Sequence, residues 1–326
     1  MKRRPRLRLL AVGGTISCVP REGAEGVDTG LTAADIVSSV PGLSDLADVD
    51  VADVTTIASP SITVRDMHDL AGAIERAFDD GCDGVVVTHG TDTIEETTYA
   101  LALMLPRTRP VVLTGAMRNP SLPGTDGPAN LLAAFLVASR SDLALGPVVV
   151  MNDEIHPARF VTKVHSTRVS ALGSPGAGPV GEIVEQRARV WYQPAYDDYL
   201  GLPPSVDGPP VELVRIAVDP DHGLLRDAIA RQPGGIVLEG TGGGHVPPAL
   251  LPSVDEAIGA GIPLVIATRC SGGRTLERTY GFPGGEVDLR ERGAIQAGLL
   301  SGHKARLRLI VGRSLGLPAA RLFPVE

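Results

Sequence analysis

Five short stretches of this sequence combine hydroxyls or carboxylates with small residues in a way that suits chemistry. They are Gly13-Gly14-Thr15, Ala58-Ser59-Pro60-Ser61, Thr88-His89-Gly90-Thr91-Asp92, Thr114-Gly115-Ala116-Met117 and Asn152-Asp153. Each follows an apolar run that reads as a strand, and in open α/β sheets ligands bind beyond the carboxyl ends of strands. Glycines there let backbone approach a ligand. A threonine hydroxyl is a poor nucleophile until a neighbouring base takes its proton. That base can be a carboxylate, a desolvated lysine or another polarised hydroxyl. Lys163 stands out because the chain has only three lysines, Lys2, Lys163 and Lys304, among its 30 basic residues. A desolvated ammonium can shed a proton and a guanidinium effectively cannot, so a lysine at 163 suggests a role that arginine cannot fill. Lys304 falls in a stretch, 302–315, that reads as a helix with a basic face.

Other chemistries find no support. There is no G-x-x-x-x-G-K-[ST] phosphate loop, and in Gly240-Thr241-Gly242-Gly243-Gly244-His245 a histidine takes the third glycine position of the dinucleotide pattern. The seven histidines are scattered and no H-E-x-x-H occurs, so no metal is expected. No G-x-S-x-G elbow is present. Cys18, Cys82 and Cys270 lie too far apart for a disulfide framework or a metal pair, and Cys270 is expected to be a buried thiol. A net charge of −8 leaves no electrostatic footprint for nucleic acid. No run approaches the roughly 20 apolar residues of a membrane span. Near the N-terminus the basic residues precede an apolar run, Leu9–Val12, too short for a signal core, so that run is read as a first strand and the protein as cytoplasmic.

The elements that must position these residues alternate. Runs 7–12, 49–57, 84–88, 110–114 and 147–151 read as strands, and 32–40, 63–80, 93–105 and 127–139 as helices. Two helix starts, Thr32-x-x-Asp35 and Thr63-x-x-Asp66, are capping boxes. Prolines crowd 192–210, which reads as a linker. Strands at 211–218, 235–239 and 264–268 then alternate with helices at 224–231, 248–259 and 302–315. The expected fold is α/β. Residues 1–191 form a larger N-terminal catalytic domain with a mostly parallel sheet covered by helices, and 211–326 a smaller C-terminal α/β domain.

Several segments together resemble one family. Leu9-Leu10-Ala11-Val12-Gly13-Gly14-Thr15-Ile16 looks like the first signature of the bacterial-type L-asparaginases. The ten residues from Thr88 to Thr97 look like the second. The likeness continues in Leu113–Arg118, Val161-Thr162-Lys163, Gly235–Pro247 and Gly298–Leu309, and so spans nearly the whole chain. The resemblance implies an amidohydrolase that releases ammonia from L-asparagine by double displacement, without metal or organic cofactor. Thr15 matches the family's nucleophile. Thr91 and Lys163 match its second hydroxyl and lysine partner. Asp92 matches the carboxylate that binds the substrate α-amino group, and Ser59 the residue that binds the α-carboxylate. Gly14, Gly90 and Ala116 fall at pocket walls and backbone donors. Glu286 matches an acidic residue contributed from a neighbouring subunit, which implies a homo-oligomer, by family precedent a tetramer.

Three departures bear on substrate. The family's lid tyrosine is missing from Arg21–Gly30, its position falling near Asp28. Pro60 replaces a polar residue that contacts substrate. His245 stands at a substrate-side position where the family often has asparagine. The alternatives are a glutaminase-asparaginase of broader ω-amide specificity and an attenuated amino-acid-binding homologue.

Overall fold

The structure is a computed structural model that describes residues 3–21 and 23–323. The chain divides into two compact units, Met1–Leu202 and Pro203–Glu326.

The first unit carries β1 (Arg6–Ala11), β2 (Cys18–Pro20), β3 (Val27–Thr29), β4 (Asp48–Asp53), β5 (Gly84–Thr88), β6 (Val111–Thr114), β7 (Pro147–Met151), β8 (Glu154–Pro157), β9 (Thr162–Lys163), β10 (Leu172–Gly173), β11 (Gly181–Val184) and β12 (Arg187–Val190). Its helices are α1 (Ala33–Ser38), α2 (Leu43–Leu46), α3 (Val64–Asp79), α4 (Ile94–Met104) and α5 (Gly127–Ala138). The main sheet has eight strands in the order β12-β11-β8-β7-β6-β5-β1-β4. The five from β4 to β7 are parallel, and β8, β11 and β12 extend the sheet antiparallel. Every residue of β5, β6 and β7 is buried, because helices cover both faces of a parallel sheet and leave no room for a polar alternation. Val86, Val112 and Val148 join the core cluster that contains residues of α1 and α5. On α3, Met67, Leu70, Ala71, Ile74 and Ala77 are buried, the stripe that a 3.6-residue period makes. Both predicted capping boxes form, at Thr32–Asp35 and Thr63–Asp66.

The second unit is a four-stranded parallel sheet in the order β13 (Val211–Arg215), β14 (Gly235–Gly240), β15 (Leu264–Thr268) and β16 (Ile295–Ser301). Its helices are α6 (His222–Ala230), α7 (Leu251–Gly259), α8 (Glu286–Arg292), α9 (Gly302–Ser314) and α10 (Ala319–Leu322). Buried residues of α6, α7 and α8 share a core with β14 and β15.

The structure corrects several expectations. The stretch 192–210 is held to the first unit over its first half: Leu200 N–H donates to the carbonyl of Leu103, and buried Asp198 takes a bidentate ion pair from Arg159. Asn152 and Asp153 follow the carboxyl end of β7 but serve the backbone there. Both have positive φ, 52° and 62°, and make the two-residue turn of the β7–β8 hairpin. Cys270 is exposed, in the turn after β15. Lys304 does not lie on a basic surface face. Its side chain is buried on α9, as is that of Arg308, whose Nε donates to the carbonyl of Leu322. The helix packs against the sheet and α10, so Lys304 and Arg308 turn inward while Arg313 in its last turn is exposed.

Candidate functional site

The strand ends of the first unit converge on one cavity of about 260 Å³. It is lined by Gly14 and Thr15 beyond β1, Ser59 and Pro60 after β4, Gly90, Thr91 and Asp92 beyond β5, Met117 beyond β6, and Lys163 on β9. The convergence depends on two glycines. At Gly14, with φ of +91°, a Cβ would fall 2.4 Å from the backbone N of Gly90. At Gly90 a Cβ would fall 2.5 Å from Ser59 Oγ. The turns after β1 and β5 therefore touch backbone to backbone, and the Ser59 side chain fills the space that a Cβ at Gly90 would need.

Thr15 opens a single turn of 3₁₀ helix and lines the cavity. Ser59 is buried at the cavity wall. Thr91 and Asp92 precede α4, whose N-cap is Thr93, yet neither caps the helix. Thr93 does not cap it with its side chain either: its Oγ1 donates to the carbonyl of Ser59 at 2.9 Å and ties the helix start to the Ser59 turn. The Thr91 hydroxyl and the Asp92 carboxylate instead meet Lys163, whose Nζ donates to Thr91 Oγ1 at 2.9 Å and to Asp92 Oδ1 at 2.5 Å. The lysine side chain is 14% exposed and the aspartate 58%, so the ammonium is largely withdrawn from water while the carboxylate still faces it.

His89, fully buried, holds the turn from behind. Its Nδ1 lies 2.7 Å from the carbonyl of Gly90, so this nitrogen carries the proton. Its Nε2, 2.9 Å from Thr97 Oγ1, accepts from that hydroxyl. Burial pushes its pKa down to about 4, against the smaller raising effect of the Gly90 carbonyl.

Ala116 is fully buried and does not line the cavity. It packs under the turn while its neighbour Met117 reaches the surface of the pocket. Met117 belongs to a turn that the sequence already marked, whereas sequence reasoning missed Cys18, Thr29 and Ser166 in the lining. Cys18 and Thr29 come from the β2–β3 hairpin, the segment that lacks a tyrosine. There Asp28 pairs with Arg21 at 3.2 Å. Ser166 follows Lys163 by three residues, and no periodic or motif signal marks it.

His245 and Glu286 form a cluster of their own in the second unit. Glu286 is buried at the first turn of α8. Its Oε1 accepts from the amides of Thr279 and Tyr280, and its Oε2 lies 3.1 Å from His245 Nε2. Burial pushes the Glu286 carboxyl up, but the amides of Tyr280 and Thr279, with His245, outweigh it and hold the group below its ordinary value. Tyr280 and Phe282 meet the His245 ring edge-on at 5.1 and 5.2 Å. Among the described residues no three His, Cys, Asp or Glu side chains gather as a metal-binding set. No described helix is long and apolar enough to cross a membrane.

Comparison with known proteins gives the family. Residues 6–196 match the family described as asparaginase, N-terminal, and residues 210–321 match the glutaminase/asparaginase C-terminal domain. The chain is 35% identical over 311 residues to an L-asparaginase of Bacillus licheniformis, covering 94% of each protein. It is 38% identical over 320 residues to a probable L-asparaginase of Deinococcus radiodurans, covering 96% of this chain and 94% of that one. The crystal structure of a probable cytoplasmic L-asparaginase from Campylobacter jejuni superimposes with a TM-score of 0.85 at 29% identity, over 98% of this chain and 99% of that one. On the strength of both domain matches and these relatives, the chain belongs to the asparaginase family.

Proposed function

We propose that this protein hydrolyses the side-chain amide of L-asparagine to L-aspartate and ammonia, with Thr15 as the nucleophile. One observation carries the reading: Lys163 Nζ bridges Thr91 Oγ1 and Asp92 Oδ1 on the wall of the cavity that Thr15 lines. Thr15 Oγ attacks the amide carbon, its proton leaves toward a neighbouring base, and the carbonyl oxygen becomes an oxyanion. Collapse of that adduct breaks the C–N bond, and the nitrogen takes a proton and leaves as ammonia. A water molecule, oriented by the Thr91 hydroxyl that Lys163 holds, then attacks the Thr15 ester, the bond from the acyl carbon to Thr15 Oγ breaks, and Oγ takes up the proton that the water gives up as L-aspartate leaves. Asp92 and Ser59 grip the substrate's ammonium and carboxylate ends, since a zwitterion needs one site of each polarity. We place the enzyme in the cytoplasm as a homotetramer. In that assembly the Glu286–His245 pair serves a neighbouring site as a fixed charge, because its own chain already holds the carboxylate.

Purified protein with millimolar L-asparagine should release ammonia. Thr15→Ala should lower the rate by at least about 10³-fold, because a nucleophile acts as a unit with its activating groups, with thermal unfolding nearly unchanged. Retention of most activity in Thr15→Ala refutes the assignment. A second reading, broader ω-amide specificity, is favoured by Pro60. It lines the cavity without a side-chain donor or an N–H to select one substrate length. L-Glutamine turnover comparable to that of L-asparagine supports it. Amino-acid binding with no ammonia released supports an attenuated homologue instead.

A further inference from the structure

The bridge described above requires Lys163 to be placed, and the strand that carries it is short. β9 is two residues long and pairs only with β10, Lys163 opposite Leu172. A ribbon this small has little stability of its own, and its outer edge leaves backbone groups that need partners. At that edge the N–H of Lys163 donates to the side chain of Glu95 at 2.8 Å. Glu95 stands in the first turn of α4, the helix whose start carries Thr91 and Asp92. One rigid element thus presents the two groups that the lysine ammonium contacts and the acceptor that fixes the lysine backbone.

We propose that Glu95 is a positioning residue, its carboxylate taking the place of a neighbouring strand so that the Lys163 ammonium meets Thr91 and Asp92. The proposal rests on the functional reading above for its effect on turnover, but not for its effect on the lysine. The alternative role is plain helix stabilisation. Glu95 and Glu96 both lie in the first turn, where a carboxylate favours the helix dipole whatever it touches.

The test exploits the scarcity of lysine. Protein labelled with ¹³C at lysine Cε has three lysine resonances, since the chain holds Lys2, Lys163 and Lys304, and Lys163→Met assigns one of them. Glu95→Ala should move the Lys163 resonance and leave that of Lys304 in place. Glu95→Gln, which retains an acceptor oxygen, should restore it. Glu95→Asp keeps the charge in the helix but withdraws the acceptor by one methylene, so it should move the resonance too. With L-asparagine, Glu95→Ala should lower kcat by about 10- to 100-fold, the cost of misplacing a catalytic group by about an ångström, and Glu95→Gln should recover most of it. A Lys163 resonance unmoved in both Glu95→Ala and Glu95→Asp overturns the proposal. So does a moved resonance with undiminished kcat. If the wild-type protein releases no ammonia, the substrate reading fails, and the resonances still decide the role of Glu95.

Discussion

Acidification should expose His89 as a neutral ring locked behind the site. Its pKa lies at about 4 in the folded chain against an ordinary value of 6.5. Between those values the unfolded chain binds a proton that the folded chain refuses, so stability falls as pH falls through 6.5 and stops falling from this source below about 4. Linkage over that interval gives a loss of about 2 kcal/mol between pH 7 and pH 5, and about 3 kcal/mol by pH 4. The protonated ring would also lose the acceptor nitrogen that faces Thr97. Urea unfolding at pH 7, 6 and 5 measures this when wild type is compared with His89→Gln, which has no titrating ring. His156, whose pKa burial also pushes down to about 4, and the carboxylates titrate alike in both proteins and cancel from the difference. His89→Gln is expected to be the less stable at pH 7, by an amount that shrinks by about 2 kcal/mol at pH 5. A difference independent of pH would refute the claim that His89 is held neutral by burial.

Three further outcomes follow from the geometry. Lys163→Arg should lose turnover, because the guanidinium keeps the charge but cannot shed a proton and replaces a compact ammonium that bridges Thr91 and Asp92 from one nitrogen. Wild-type rates from it would reduce Lys163 to an electrostatic group. Gly14→Ala should cost about 2 kcal/mol or more in denaturant melts and abolish ammonia release, since its Cβ would collide with the backbone of Gly90 at a φ of +91°. Asp198→Ala should cost about 3–5 kcal/mol, because it strips Arg159, whose side chain is only 10% exposed, of a bidentate partner and Tyr99 of an acceptor. A melt shifted by less than about 1 kcal/mol would mean that the pair is no better than a surface one.

Much of the architecture follows from local sequence. The short valine-rich runs at 84–88, 110–114 and 147–151 read as strands buried on both faces, and the capping boxes at Thr32 and Thr63 mark where helices begin. Residues such as Thr15, Ser59, Thr91 and Asp92 were legible because parallel strands deliver their carboxyl ends to one edge, so short turns after apolar runs are brought together by topology alone. Other features have no local signature. β16 was not foreseen because its alternation is broken by Gly298. The exposure of Cys270 and the burial of Lys304 depend on which elements lie over the turn and the helix, which composition does not encode. Whether Ala116 or Met117 reaches the cavity depends on how one turn sits against Ile16 and Gly127. The same holds for the central contact: the sequence names Lys163, Thr91 and Asp92 but places them about 70 residues apart. Only the packing of β9 against the start of α4, with Glu95 taking the outward N–H of Lys163, brings the ammonium to the hydroxyl and the carboxylate. A short strand has no register of its own until a neighbour satisfies its backbone.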